Sequence, residues 1–187
     1  MGNKLNIQST NFDDLYVIEP IVNQDDRGSF FRVFCENELK DILNKKTIKQ
    51  INHSITSKKG TFRGLHFQYV PDCEVKIVKC IKGKVLDIVV DIRKGSKTFL
   101  QTYFIELSEQ NRKMIYIPEG FAHGFQTLED NIELLYLHTN IYSPNSEGAL
   151  NIKDPLLNIQ LPLDIIEISQ RDEEHDFISS NFKGIEI

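Results

Sequence analysis

Residues 74–93 read EVKIVKCIKGKVLDIVVDIR, and nine of the twenty are Val or Ile. β-Branched side chains are stiff about χ1 and suit the pleated surface of a sheet better than a helix. The interruption is Lys82-Gly83-Lys84. Two strands are therefore expected, 74–81 and 85–93, paired as a hairpin around Gly83. Side chains alternate along a strand, so Lys76, Val78 and Cys80 share one face, and Val75, Ile77, Lys79 and Ile81 share the other. One lysine goes with each face. If one face is the interior of a barrel, a lysine points into it. The ordinary alternative is that Lys76, near the strand end, reaches solvent.

Outward from this stretch the pattern repeats. Strand-like runs are LYVIEPIV (15–22), SFFRVF (29–34), TIKQINHSI (47–55), GTFRGLHFQ (60–68), TFLQTYFIEL (98–107), KMIYIP (113–118) and NIELLYLHT (131–139), separated by short turn signals. One helix is expected over ENELKDILNKK (36–46), where Leu39, Ile42 and Leu43 share a face. The last twenty residues read as a short helix and a tail. Many short strands joined by turns predict an all-β sandwich or barrel. With 187 residues and neither repeats nor a linker, residues 1–187 are expected to form one domain.

Composition excludes several classes of function. A net charge of −5 argues against nucleic acid, which wants a basic field. No apolar run is long enough for a membrane span, and MGNKLNIQSTNF lacks the apolar core of a signal peptide. Three cysteines, Cys35, Cys73 and Cys80, fit neither a disulfide framework nor a CxxC zinc site, so reduced thiols in a cytoplasm are expected.

Few residues offer chemistry. The histidines are His53, His66, His123, His138 and His175, and none forms an H-x-H clip, which argues against a metal. His66 lies within a strand, where a general base would be rigidly mounted. Taken alone, a buried histidine with satisfied hydrogen bonds is its simpler reading. Tyr136 is a core or rim tyrosine and a possible proton donor. Ser169 and Asp172 fit the S-x-x-D pattern that caps a helix. Arg27, Arg63 and Arg171 would together suit a diphosphate. Arg63 and His66 differ by three positions, so alternation separates them unless a bulge forms near Gly64.

Seven segments, in order, carry a family resemblance: DDRGSFF (25–31), QINHS (50–54), RGLHFQ (63–68), KIVKCIKGKVLDIVVDIRKGSKTF (76–99), IPEGFAHGF (117–125), LLYLHTNIYSPNSEG (134–148) and SQRD (169–172). With them the chain resembles the dTDP-4-dehydrorhamnose 3,5-epimerases. The resemblance implies a cupin-type double-stranded β-helix, or jelly-roll barrel, with a few short helices. It implies inversion at C3 and C5 of dTDP-4-dehydro-6-deoxy-D-glucose, without metal or organic cofactor, in the dTDP-rhamnose branch of cell-surface polysaccharide synthesis. In the roles it implies, His66 is the base, Asp172 orients it, Tyr136 reprotonates from the other face, and Lys76 steadies the enolate oxygen. Arg27, Gln50 and Arg63 would line the diphosphate pocket, with Asn52, His123, Tyr142, Glu147, Arg171, Phe30 and Arg32 at further substrate positions. The family is usually a cytoplasmic homodimer whose N-terminal segments reach the neighbour's site.

Departures accompany the matches. Arg32 stands where relatives usually carry a glutamate near the nucleotide base, and Arg171 where lysine is usual. Ile152, Leu161 and Tyr116 replace common tryptophans. Arg32 raises the alternatives of C3-only inversion or another 4-keto nucleotide sugar. A non-catalytic sugar-nucleotide binder and a metal-dependent cupin oxygenase complete the field. Intact candidate catalytic positions weigh against the binder, and the missing H-x-H against the oxygenase.

Overall fold

A computed structural model describes residues 2–187. In chain order the elements are β1 (Leu5–Ser9), β2 (Tyr16–Pro20), β3 (Asn23–Asp25), β4 (Gly28–Phe30), α1 (Glu36–Leu43), β5 (Gln50–Thr56), β6 (Phe62–Gln68), β7 (Lys76–Lys82), β8 (Lys84–Asp91), β9 (Thr102–Ser108), β10 (Met114–Ile117), β11 (Phe121–Thr127), β12 (Ile132–His138), β13 (Glu147–Ala149) and α2 (Gln170–Glu173). They build a six-stranded sheet, β1-β2-β10-β7-β12-β5, a five-stranded sheet, β13-β6-β11-β8-β9, and a small β3-β4 ribbon.

The expected hairpin is not there. β7 and β8 stand in different sheets. β7 pairs with β10 and β12, and β8 pairs with β9 and β11. Gly83, at φ 73°, turns the chain from one sheet to the other. That φ is one that side chains with a Cβ rarely adopt, and a Cβ there would also press on the end of the Ile132 side chain, so the corner favours glycine. The misreading has a physical origin: both strands are apolar on both faces, so nothing local marks which strand each will pair with. Crossing between sheets at such corners is what closes the two layers into a jelly roll.

Three apolar layers result. Between the sheets, Val78, Cys80 and Leu134 meet Val85, Val89 and Phe125. Outside the six-stranded sheet, Ile77, Met114 and Leu137 pack with Leu39 and Leu43 of α1. Outside the five-stranded sheet, Ile88, Val90 and Ala122 pack with Leu150, Ile152 and Leu157 from the C-terminal third. The alternation read from residues 75–81 holds, with Val78 and Cys80 inside and Val75 and Ile77 outside.

The remaining differences are local. SFFRVF contributes a strand only through Phe30, because Phe31 leaves to lie over Lys79 and Arg112. The first helix stops at Leu43, where Asn44 takes the left-handed conformation at φ 45°. Strands β1, β3, β11 and β13 appear where no strand was expected. No helix among the described residues is long and apolar enough to cross a membrane.

Candidate active site

One mouth of the barrel holds a cavity of about 290 Å³, lined among others by Asn52, Arg63, His66, Lys76, His123, Tyr136, Tyr142 and Glu147. β6 supplies His66 from the five-stranded sheet. β7 and β12 supply Lys76 and Tyr136 from the opposite one.

His66 Nε2 lies 2.8 Å from Asp172 Oδ1. Asp172 is buried on α2. Its backbone N–H donates to Ser169 Oγ at 3.1 Å, so the capping pattern forms as well. The carboxylate does separate work, since its Oδ2 accepts the Gly64 N–H at 3.2 Å. Burial raises the Asp172 pKa, but the bond and charge of His66, the Gly64 N–H and Ser169 outweigh it and bring it down to about 2.

The Gly64 N–H is free for this because β6 bulges there. His123 pairs with His66 and Phe125 with Arg63, so three steps along β6 match two along β11. The bulge turns Arg63 to the side of His66, and both line the cavity. It also brings the two backbones together. A Cβ on Gly64 would lie 2.4 Å from Gly124 Cα, and one on Gly124 2.6 Å from the Arg63 carbonyl oxygen. Only a glycine pair permits that approach.

Lys76 does not reach solvent; its side chain is buried. Nζ donates to the His66 carbonyl oxygen at 3.1 Å and lies 3.6 Å from Glu74 Oε1. Burial lowers its pKa, and the Glu74 charge works in the other direction. Tyr136 has its pKa raised, chiefly by burial. Its ring stands edge-on to His123 and stacks with His138.

Glu147 ties the rim. Its Oε2 accepts from Tyr142 Oη at 2.8 Å and from Arg171 Nη1 at 3.0 Å. Arg171 Nη2 lies 3.4 Å from His66 Nε2. Gln50 stands behind the rim, accepting from the Tyr142 N–H at 3.1 Å and donating to Asn52 Oδ1 at 3.1 Å. A groove beside the cavity shares Arg63 and His66 and adds Lys58, Ser169 and Arg171.

Three expected positions stand away from this cavity. Arg27 is 90% exposed and pairs with Asp25 in the β3-β4 ribbon. Phe30, on the same ribbon, is 77% exposed. Arg32 is turned onto Glu38 of α1, whose carboxylate also accepts the N–H groups of Lys4 and Leu5.

Sequence reasoning missed two carboxylates here. Asp87, fully buried, holds His123 Nε2 through both oxygens at 3.0 and 2.9 Å. Glu74 Oε2 lies 2.8 Å from His138 Nδ1. A usable signal existed: Asp87 interrupts an apolar run, and Glu74 and His138 each lie two residues from a singled-out inward position.

For a metal, the candidate ligands are His66, Asp172 and His175, whose donor atoms lie within 4.8 Å of one another. In two of the three the coordinating atoms are already engaged, since His66 and Asp172 share a hydrogen bond.

The chemistry on offer is proton transfer beside a buried cation. A family model described as dTDP-4-dehydrorhamnose 3,5-epimerase matches residues 9–180. The dTDP-4-dehydrorhamnose 3,5-epimerase of Salmonella typhimurium strain LT2 is 43% identical over 165 residues, covering 87% of this chain and 90% of that one. A crystal structure of dTDP-4-dehydrorhamnose 3,5-epimerase from Elizabethkingia anophelis superposes with a TM-score of 0.90 at 32% identity, covering 96% and 100% of the two chains. The Legionella pneumophila dTDP-6-deoxy-D-glucose-3,5-epimerase, in complex with dTDP-4-keto-L-rhamnose, gives a TM-score of 0.84 at 38% identity over 90% of this chain and 89% of that one.

Proposed function

The chain belongs to the dTDP-4-dehydrorhamnose 3,5-epimerase family, and from that premise we propose that it inverts C3 and C5 of dTDP-4-dehydro-6-deoxy-D-glucose to give dTDP-4-dehydro-L-rhamnose. The observation that carries this reading is the His66–Asp172 pair facing one cavity with Lys76 and Tyr136. The substrate's C3 and C5 protons are acidic because both are α to the C4 ketone. His66 takes one of them. Asp172, held by Gly64 and Ser169, fixes the imidazole and favours its charged form as it accepts the proton. Negative charge moves to the C4 oxygen, where the Lys76 ammonium stabilises it. A buried cation acts there at low effective dielectric and needs no reorganisation. Tyr136 returns a proton from the opposite face, which inverts the carbon. The route needs neither metal nor organic cofactor.

A cavity of about 290 Å³ is at the lower end of the range for ligand pockets. It suits the sugar alone. The diphosphate then runs along the adjoining groove with Arg63 and Arg171. Arg32 neutralises Glu38 in this reading and does not oppose a thymine base. Arg27 and Phe30, exposed on their ribbon, complete the site of a second copy in a homodimer. The exposed Ile51 and Ile55 on edge strand β5 give that copy an apolar surface to cover. Free cysteines suit a cytoplasmic enzyme.

Incubation with dTDP-4-dehydro-6-deoxy-D-glucose in deuterated water is expected to place deuterium at C3 and C5, read by NMR. Absence of label at both carbons would overturn the reading. Light scattering of the purified protein is expected to give the mass of a dimer.

A further inference from the structure

A third histidine–carboxylate pair, beside His66–Asp172 and His123–Asp87, faces the same cavity. His138 Nδ1 lies 2.8 Å from Glu74 Oε2, and the two side chains are 11% and 9% exposed. His138 follows Tyr136 by two positions on β12, so both point into the barrel. Their rings stack, with centroids 6.0 Å apart and planes 18° from parallel. Glu74 occupies Nδ1, which leaves Nε2 as the ring nitrogen that can exchange a proton. The Asn52 amide, oriented by the Gln50 bond to its oxygen, points an N–H to Nε2 at a long 3.4 Å, a contact that gives way when Nε2 takes up a proton.

A counter-ion for Lys76 would require only Glu74. The histidine adds something else, a proton carrier on the Tyr136 side of the cavity. Inversion at two carbons calls for two deliveries from the face opposite His66. Tyr136 is one donor, and burial makes its hydroxyl a weak acid.

We infer that His138, held by Glu74, is a second proton donor that serves one of the two inverted carbons while Tyr136 serves the other. This rests on the epimerase reading above. In the step, the enolate π pair forms the new C–H bond with the Nε2 proton, the N–H bond breaks, and the C4 carbonyl re-forms beside Lys76. His138 is left neutral, with Nδ1–H still donated to Glu74, and regains its Nε2 proton from water. His66 releases the abstracted proton to solvent.

The test follows each carbon separately in deuterated water, using the full-length enzyme and dTDP-4-dehydro-6-deoxy-D-glucose. In His138→Gln, inversion at one carbon is expected to fall by about 10²-fold or more, while deuterium still enters that carbon with retention through His66. Tyr136→Phe is expected to spare that carbon and lose the other. Glu74→Gln, which keeps the shape of the pair and removes its charge, should shift the same ratio in the direction of His138→Gln and guards against a folding defect in that variant. A wild-type inversion ratio in both the His138 and Glu74 variants, or equal loss at the two carbons, would overturn the assignment while leaving the epimerase reading in place. No label in the unmodified enzyme would remove both.

Discussion

Lys76 and Lys79 sit three residues apart on β7, are both buried, and face opposite layers. The inner one has a carboxylate, a carbonyl and a cavity beside it. The outer one has no carboxylate within ion-pair range among the described residues; its Nζ donates to the Arg112 carbonyl oxygen at 3.1 Å and lies 5.1 Å from the centre of the Phe31 ring. Burial brings its pKa down to about 8. The pair separates two uses of a buried charge. Lys76 is held with its counter-ion where the proposed reaction would develop charge. Lys79 is a burden on the fold, partly relieved by an aromatic face.

Removing the inner ammonium gives the largest expected effect. Lys76→Met should lower kcat by about 10²–10³-fold with the folded circular dichroism spectrum retained. A variant keeping more than about a tenth of the activity would put Lys76 on the same footing as Lys79. Asp172→Asn should reduce kcat by about 10²-fold, because the imidazole loses its orienting anion. The same variant has a stability signature. The Asp172 pKa is lowered from 3.8 to about 2 on folding, so the native carboxylate adds stability at pH above 3.8 that disappears as pH falls to about 2. That contribution is about 1–2 kcal/mol, and acid titration followed by circular dichroism should show it missing in Asp172→Asn.

Lys79→Met should leave kcat within about twofold and raise the melting temperature by about 2–4 °C, the shift for about 1 kcal/mol in a chain of this size. A lower melting temperature would show that Lys79 supports the fold. The smallest effect concerns alkaline pH. A lysine at about 8 when folded and 10.5 otherwise binds fewer protons in the native state between those values, so stability should rise across that window. The rise, of order 1 kcal/mol, should be absent from urea melts of Lys79→Met.

The same contrast marks what could be read from the chain in advance. Alternation along residues 75–81 placed both lysines correctly, because a period of two is local. Pairing is not local, so the apolar runs on either side of Gly83 looked like a hairpin and turned out to be strands of opposing sheets. The shared side of Arg63 and His66 was legible as a condition, a bulge at Gly64, and the register supplies it. Asp172 was legible as part of a capping pattern, and its N–H does bond the Ser169 cap; the carboxylate's bond to His66 spans 106 residues, and only the family motifs pointed to it. Glu74 and Asp87, the partners of His138 and His123, went unread because a polar residue on a strand names no partner until its neighbours in the fold are in place. Arg27 and Phe30 matched a motif and Arg32 departed from one, yet their own chain sends all three away from the cavity.

The length of the link between His66 and Asp172 has a consequence for synthesis. His66, the proposed base, leaves the ribosome 106 residues ahead of Asp172, a delay of roughly 5–20 s at ordinary elongation rates. All the strands of both sheets lie before Asp172 in the chain. A nascent barrel therefore has all its strands before it has the His66–Asp172 pair, and the layer that Leu150, Ile152, Leu157 and Ile185 lay over the five-stranded sheet arrives in the same late stretch of chain.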